Sequence, residues 1–292
     1  ARTVGRFGDA LHLLDAATGR AEVFAAFGDV GRSFHDFAVS GDGAAVVAGG
    51  TYGVVCWRNR DGRWEQAWAE EYWKQFPKLD WPVSNQANRV PKFGAYVPPG
   101  GDRALVLFSE LSNNGWVTPD NHSTASLKAV RLEDGQALWT FDVPIPKTLL
   151  FPSLYAAEDG RRVLLHVQMG SWGRESHRYY SLHDGKVLGQ WDTPTGVAPL
   201  AVAVAEATGQ VALVFRQRLI EMRRPDASLR YNMLWPSQPV GVAFAPDGEG
   251  LYLTDDAERL TRLDAEGRTV WQVPLGAVSC VAARGGRVYA GG

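Results

Sequence analysis

Aromatic, amide and guanidinium side chains crowd into three polar stretches: 69–92 (AEEYWKQFPKLDWPVSNQANRVPK), 109–126 (SELSNNGWVTPDNHSTAS) and 169–178 (MGSWGRESHR). Flat apolar rings beside groups that donate and accept hydrogen bonds suit a sugar ring, a peptide or a planar cofactor. The first stretch offers Trp73, Trp81, Asn85, Gln86, Asn88 and Arg89, the second Trp116, and the third Trp172 and Arg174. The proposed contact set is Trp73, Trp81, Asn88, Arg89, Trp116, Trp172 and Arg174. Trp68, Tyr72 and Phe76 recur every four residues, which predicts a helical turn that Pro77 ends. That turn would be a lid with an aromatic stripe. Trp116 and Trp172 stand at comparable places, either packed on the scaffold or facing a ligand.

Metal chemistry is the second possibility. His35, His122 and His177, with Asp36 and Asp120 beside the first two, could give three imidazoles and an open position for zinc or copper. No pair has ligand-like local spacing, so only tertiary structure could bring them together. Three unrelated histidines is the alternative. His12 and His166 lie in strand patterns and His183 in a turn, and these three read as structural. No Gly-rich phosphate loop opens a helix, and no G-x-S-x-G elbow occurs. The sequence therefore favours a non-catalytic module over an enzyme.

Composition narrows the partner. A net charge of −2 over 292 residues supplies no field for nucleic acid. No apolar run reaches the ~20 residues of a membrane span. Arg216, Arg218, Arg223 and Arg224 cluster in sequence, but the strand order assigns the first two and the last two to opposite ends of one strand. Cys56 and Cys280 sit in apolar strand patterns and read as two buried thiols, with a disulfide the alternative. The start at Ala1 predicts an exported protein, periplasmic or extracellular, or a domain of a larger polypeptide.

The elements that must hold these stretches repeat. Residues 239–273 (PVGVAFAPDGEGLYLTDDAERLTRLDAEGRTVWQV) contain four short apolar runs separated by turn residues, a four-stranded antiparallel meander. The unit recurs over 34–68, 93–142, 152–192 and 199–236. Residues 278–292 and 1–26 supply two strands each for one more. A sheet that is apolar on both faces needs neighbours of its own kind, and radial stacking provides them. The fold class is thus all-β: a six-bladed β-propeller spanning 1–292 as one domain, closed by pairing of N- and C-terminal strands in one blade.

LDAATGRAEVF, LEDGQALWTF, LHDGKVLGQW and LDAEGRTVWQV resemble the repeat of quinoprotein-type (PQQ-like) propellers. PVGVAFAPDGEGLYLTD resembles the NHL and gluconolactonase type, and WD-repeat propellers share the same meander. The gluconolactonase resemblance implies calcium at the channel mouth, held by inner-strand oxygens. The corresponding positions here are His35-Asp36, Asn88-Arg89, Ser153, Pro199, Gln238 and Ser279, where Asp36 is the one carboxylate. The quinone needs an eight-bladed ring, so that cofactor does not follow from the repeat.

In a meander the connections alternate between two rims. One rim has uniformly tight turns, and all three long stretches fall on the other, which marks it as the working face. The expected function is an exported binding module for a protein, peptide or glycan, or for other domains of its own polypeptide. Alternatives are a metal- or cofactor-binding propeller (zinc, copper or calcium) and a lactonase-like hydrolase.

Overall fold

A computed structural model describes residues 2–7, 10–15, 18, 20–26, 34–50, 53–71, 89–99, 101–112, 124–144, 150–169, 176–193, 198–284 and 286–291. They form two compact units, Ala1–Leu150 and Phe151–Gly292. Every regular element among the described residues is a β-strand.

The first unit holds three antiparallel sheets. One has the order β1 (Arg2–Phe7), β2 (Ala10–Asp15), β3 (Ala21–Ala26). The next is β4 (Phe34–Val39), β5 (Ala45–Gly50), β6 (Gly53–Arg60), β7 (Arg63–Glu71). The last is β8 (Arg89–Tyr96), β9 (Arg103–Ser112), β10 (Thr124–Arg131), β11 (Ala137–Asp142). The second unit holds β12 (Leu150–Ala156) to β15 (Lys186–Thr193), with β13 (Arg162–Met169) and β14 (Ser176–His183) between. It continues with β16 (Ala201–Val204), β17 (Val211–Val214), β18 (Leu219–Arg223) and β19 (Leu229–Leu234). Then come β20 (Pro239–Phe244), β21 (Leu251–Asp255), β22 (Arg259–Leu263) and β23 (Thr269–Pro274). A hairpin, β24 (Cys280–Arg284) and β25 (Arg287–Gly291), ends the chain.

Turn chemistry sets the meanders. Asp61 and Gly62 have φ of 52° and 85°, and Asp184 and Gly185 46° and 78°. Two successive positive φ values match the twist of a two-residue hairpin, which Asp-Gly tolerates best. The first-to-second turns use a second device. The Asp42 carboxylate accepts from Ala44 N at 2.9 Å and Ser40 Oγ at 2.6 Å, and Asp247 accepts from Glu249 N at 2.8 Å. Each closes a short aspartate turn.

The second strand of most sheets is buried on both faces. On β5, Val46 and Ala48 pack with Val55, Trp57 and Leu11, whereas Ala45 and Val47 pack with Val54, Cys56, Ala95, Val106 and Val130. On β17, Val211 and Leu213 face Leu164, Tyr179 and Trp191, while Ala212 and Val214 face Val242, Leu251 and Leu253. Strand periodicity of two deals successive side chains to opposite neighbours, so the run reads as unbroken apolar sequence. Each large aliphatic side chain so buried stabilises the fold by about 1.5–3 kcal/mol.

The outer strands are held by a recurring contact. Trp68 of β7 donates Nε1–H to the Leu132 carbonyl at 3.1 Å, across to the neighbouring sheet. The Trp68 ring lies over Gly135, where an added Cβ would meet it at 2.8 Å. Gly267 meets Met233 and Tyr231 of the preceding sheet in the same way. The Asp-Gly-aromatic repeat is therefore a sheet-to-sheet lock.

Four expectations change. Trp68 cannot face a lid helix, because it pairs with Cys56 in the β6–β7 ladder, which continues to Glu71. The strands run into the three polar stretches and leave connections at 72–88, 113–123 and 170–175. Backbone pairing, not apolar side chains, carries a strand past the edge of the core. The chain ends supply three strands and two strands in separate sheets, the third N-terminal strand being Arg2–Phe7, which pairs along all of β2. Cys56 is buried, which pushes its thiol up to about 12, but Cys280 is exposed, and both are free.

Gly62 and Gly135 test the lock. Both have positive φ, but only Gly135 has a neighbour within 4 Å of a built Cβ. Gly62→Ala should cost about 1 kcal/mol from backbone strain alone. Gly135→Ala should cost about 1–3 kcal/mol more, because Trp68 must also move. Urea unfolding midpoints measure both, and equal losses would mean that the Trp68 contact contributes nothing.

Candidate functional site

The two longest connections of the first unit start from neighbouring rungs of its ladders. Arg89, the first residue of β8, pairs with Ser112, the last of β9. The 72–88 connection therefore arrives where 113–123 departs, and Thr124 returns opposite Glu110. The departure point of 72–88 is also pinned. Glu71 pairs with Gly53, and Glu70 forms an ion pair with Lys128 of β10 at 2.6 Å. Half-buried in both partners, that pair ties the edge of one sheet to the middle of the next. Antiparallel geometry puts all these rungs at one end of the two sheets, opposite the Asp61-Gly62 turn.

Of the predicted contact residues, Arg89 lies at the start of β8, the inner-strand position the sequence suggests. Trp73, Trp81 and Asn88 fall on 72–88, Trp116 on 113–123, and Trp172 and Arg174 on 170–175, all outside the described residues. Asn85, Gln86, Asp120 and His122 lie outside them as well. The Asp36 carboxylate accepts from Phe37 N at 2.9 Å and from Ala95 N of the next sheet at 3.3 Å. His35 lies on β4 at a register shift between Phe34 and Asp36. No group of three or more His, Cys, Asp or Glu able to hold a metal occurs among the described residues.

His177 has a partner that sequence spacing did not suggest. It is fully buried on β14, and its Nδ1 lies 2.8 Å from Nε2 of buried His166 on β13. The rings stack in a column. His166 and His177 have centroids 5.0 Å apart, His166 and Tyr179 4.7 Å, and Tyr179 and Trp191 5.1 Å. The Arg223 guanidinium of β18 covers Trp191 at 5.0 Å and pairs with buried Glu221. Register explains the column, since His166 is opposite Tyr179 and Tyr179 opposite Trp191. The alternation of His177, Tyr179 and Ser181 with Arg178 and Tyr180 was the available sequence signal.

Two ring nitrogens this close share one proton. Burial, and next the His177 ring, pull the His166 pKa down to about 4. His177 Nε2, buried on the same face, has no hydrogen-bond partner among the described residues.

A second buried polar group orders the far sheets. Burial opposes the charge of Asp255, yet hydrogen bonds from Arg259, Trp235 and Ser237 outweigh it and hold the carboxyl below its usual range. Asp255 Oδ2 accepts from Arg259 Nη2 at 2.8 Å, Trp235 Nε1 at 3.0 Å and Ser237 Oγ at 2.7 Å. Arg216 and Arg218 precede β18 and Arg223 and Arg224 end it, so the basic cluster divides as expected.

No family model matches this chain, and no curated protein does. Solved structures do. Saccharomyces cerevisiae Sqt1 is similar with a TM-score of 0.59 at 11% identity, over 99% of this chain and 76% of that one. A chain of the mitotic checkpoint complex gives 0.52 at 12%, over 96% and 76%. The β-propeller domain of Myceliophteria thermophila Cps50 (Swd1) gives 0.48 at 12%, over 99% and 91%. The first two likenesses show the fold, a β-propeller, and each four-stranded sheet is a blade.

The histidine pair sets an acid limit on stability. His166 binds a proton near pH 6.5 when unfolded but only near pH 4 when folded, so the unfolded state gains protons first as pH falls. Stability should fall between those values, by about 3 kcal/mol in full. The one group with a charge effect on His166 is His177, and the Tyr179 ring stacks on it at 4.7 Å. Urea midpoints measured from pH 8 to pH 4 should flatten in a His166→Phe, His177→Phe double variant. An unchanged slope would place the acid sensitivity elsewhere.

Proposed function

We propose that this chain is a six-bladed β-propeller that acts as a non-catalytic binding module and takes a protein partner at its loop-bearing sheet ends. The observation that carries the reading is the asymmetry between the two ends of the first unit's sheets. At one end stand tight turns such as Asp61-Gly62. At the other, 72–88 and 113–123 leave from adjoining rungs, next to the Lys128–Glu70 clamp. A rigid sheet end carrying long polar and aromatic connections is the usual arrangement for recognition.

Trp73, Trp81, Trp116, Asn88 and Arg89 are the proposed contacts in this unit. Trp172 and Arg174 occupy the equivalent connection, 170–175, of a blade in the second unit. Rings of this kind bind with little loss of side-chain entropy, and a peptide or glycan would use the same chemistry. One structural neighbour belongs to a multiprotein assembly, the mitotic checkpoint complex, which agrees with a partner-binding role. Five four-stranded blades account for β4 to β23, and the terminal strands supply material for a sixth.

Site-specific photocrosslinking in the native host tests this. A photoreactive residue in place of Trp116 should capture a discrete protein partner, and one in place of Asp61 should not. Trp81→Ala should reduce the Trp116 crosslink about tenfold, as loss of an aromatic anchor commonly does. Equal capture at both ends, or none at Trp116, would sink the assignment.

A further inference from the structure

The tight turns of the second unit build a cleft of their own. Thr208, Gln210, Arg224, Pro225, Arg230 and Glu249 line a space of about 350 Å³. Two turns of the β16–β19 blade and one turn of the β20–β23 blade contribute, so the cleft lies at the turn end of these two blades.

Its polar groups are fixed before any ligand arrives. Gln210 is only 4% exposed, and its Nε2 donates to Thr208 Oγ1 at 3.2 Å and the Gly248 carbonyl at 3.2 Å. Its Oε1 accepts from Arg230 Nη1 at 2.6 Å, which orients that guanidinium. Arg224 is exposed; its guanidinium makes long contacts to Ser228 Oγ at 3.5 Å and the Leu229 carbonyl at 3.4 Å, and its charge acts on the exposed Asp226 carboxylate. Asp247 nearby is paired with Arg262 at 3.3 Å.

One carboxylate already sits in the cleft. Glu249, from the neighbouring blade, places Oε2 2.6 Å from Arg230 Nη1 and Oε1 3.3 Å from Gln210 Nε2. Its side chain is 44% exposed, so an incoming group can displace it at small cost. Arg230 pairs with this carboxylate, and Arg224 lines the same cleft. Oriented guanidinium pairs recognise carboxylates by charge-assisted hydrogen bonds.

We propose that this cleft is a carboxylate-binding site, with Arg224 and Arg230 as the recognising groups, Gln210 as the residue that positions Arg230, and Glu249 as an internal occupant that an acidic ligand replaces. The ligand is an acidic segment of a protein, and a free small dicarboxylate is the other source of the same chemistry.

The test uses the whole chain, a labelled tetraglutamate peptide and, separately, succinate, at low ionic strength, where such contacts are least screened. Peptide binding should weaken about tenfold in Arg224→Gln and strengthen severalfold in Glu249→Gln, with raised salt abolishing both. Both positions are exposed or half-exposed, and matching thermal melts will show that the variants fold. Peptide affinity at least about tenfold above that of succinate supports a protein segment, and equal affinities would overturn that source in favour of a small dicarboxylate. Peptide binding that ignores Arg224→Gln, or no binding to either wild type or Glu249→Gln, would overturn the site.

Discussion

The sheets of this protein are apolar on both faces, so none of their inner strands can be satisfied by a single partner. Val46 and Val47 are adjacent in sequence and pack into different cores. Leu213 and Val214 divide in the same way. Hydrophobic burial therefore acts between sheets as strongly as within them, and an isolated meander would expose one whole face to water. The repetition of the blades follows from this requirement.

Outer strands gain least from that packing, since they border solvent. Their attachment depends on specific contacts: the Trp68 ring on Gly135 with its hydrogen bond to Leu132, and Tyr231 and Met233 against Gly267. A turn glycine serves twice here, because positive φ and the missing Cβ are both required. The aromatic of one repeat thus needs the glycine of the next, which explains why turn and aromatic recur together in the sequence.

With cores and edges held in this way, the sheet ends carry no packing burden and are free to differ. In the first unit, one end closes in tight turns and the other carries 72–88 and 113–123, anchored by Glu70 and Lys128. In the second unit, the turns themselves enclose charged groups, with Gln210 buried beneath Arg230. Buried polar groups elsewhere are handled differently. Asp255 is surrounded by donors, whereas burial penalises the charged form of His166 and lowers its pKa.

Much of the architecture was legible in the sequence because its causes are local. Alternating apolar runs and Asp-Gly turns specify strands and hairpins within a few residues. The five internal meanders accordingly appear within a few residues of their expected bounds. His177 reads as a loop residue in the sequence because polar side chains hide a ladder that only backbone hydrogen bonds sustain. Spacing suggested that Trp68 joined Tyr72 and Phe76 on a helix, but pairing with Cys56 overrides local periodicity. The sequence by itself determined the strands, the turns and, in the first unit, the sheet end from which the long connections leave. The tertiary structure alone decided that His177 meets His166, that Trp68 seats on Gly135, and that Arg230 meets Glu249. Each of those contacts joins residues on different strands or different blades, so its geometry comes from register and blade packing, which no run of neighbouring residues encodes.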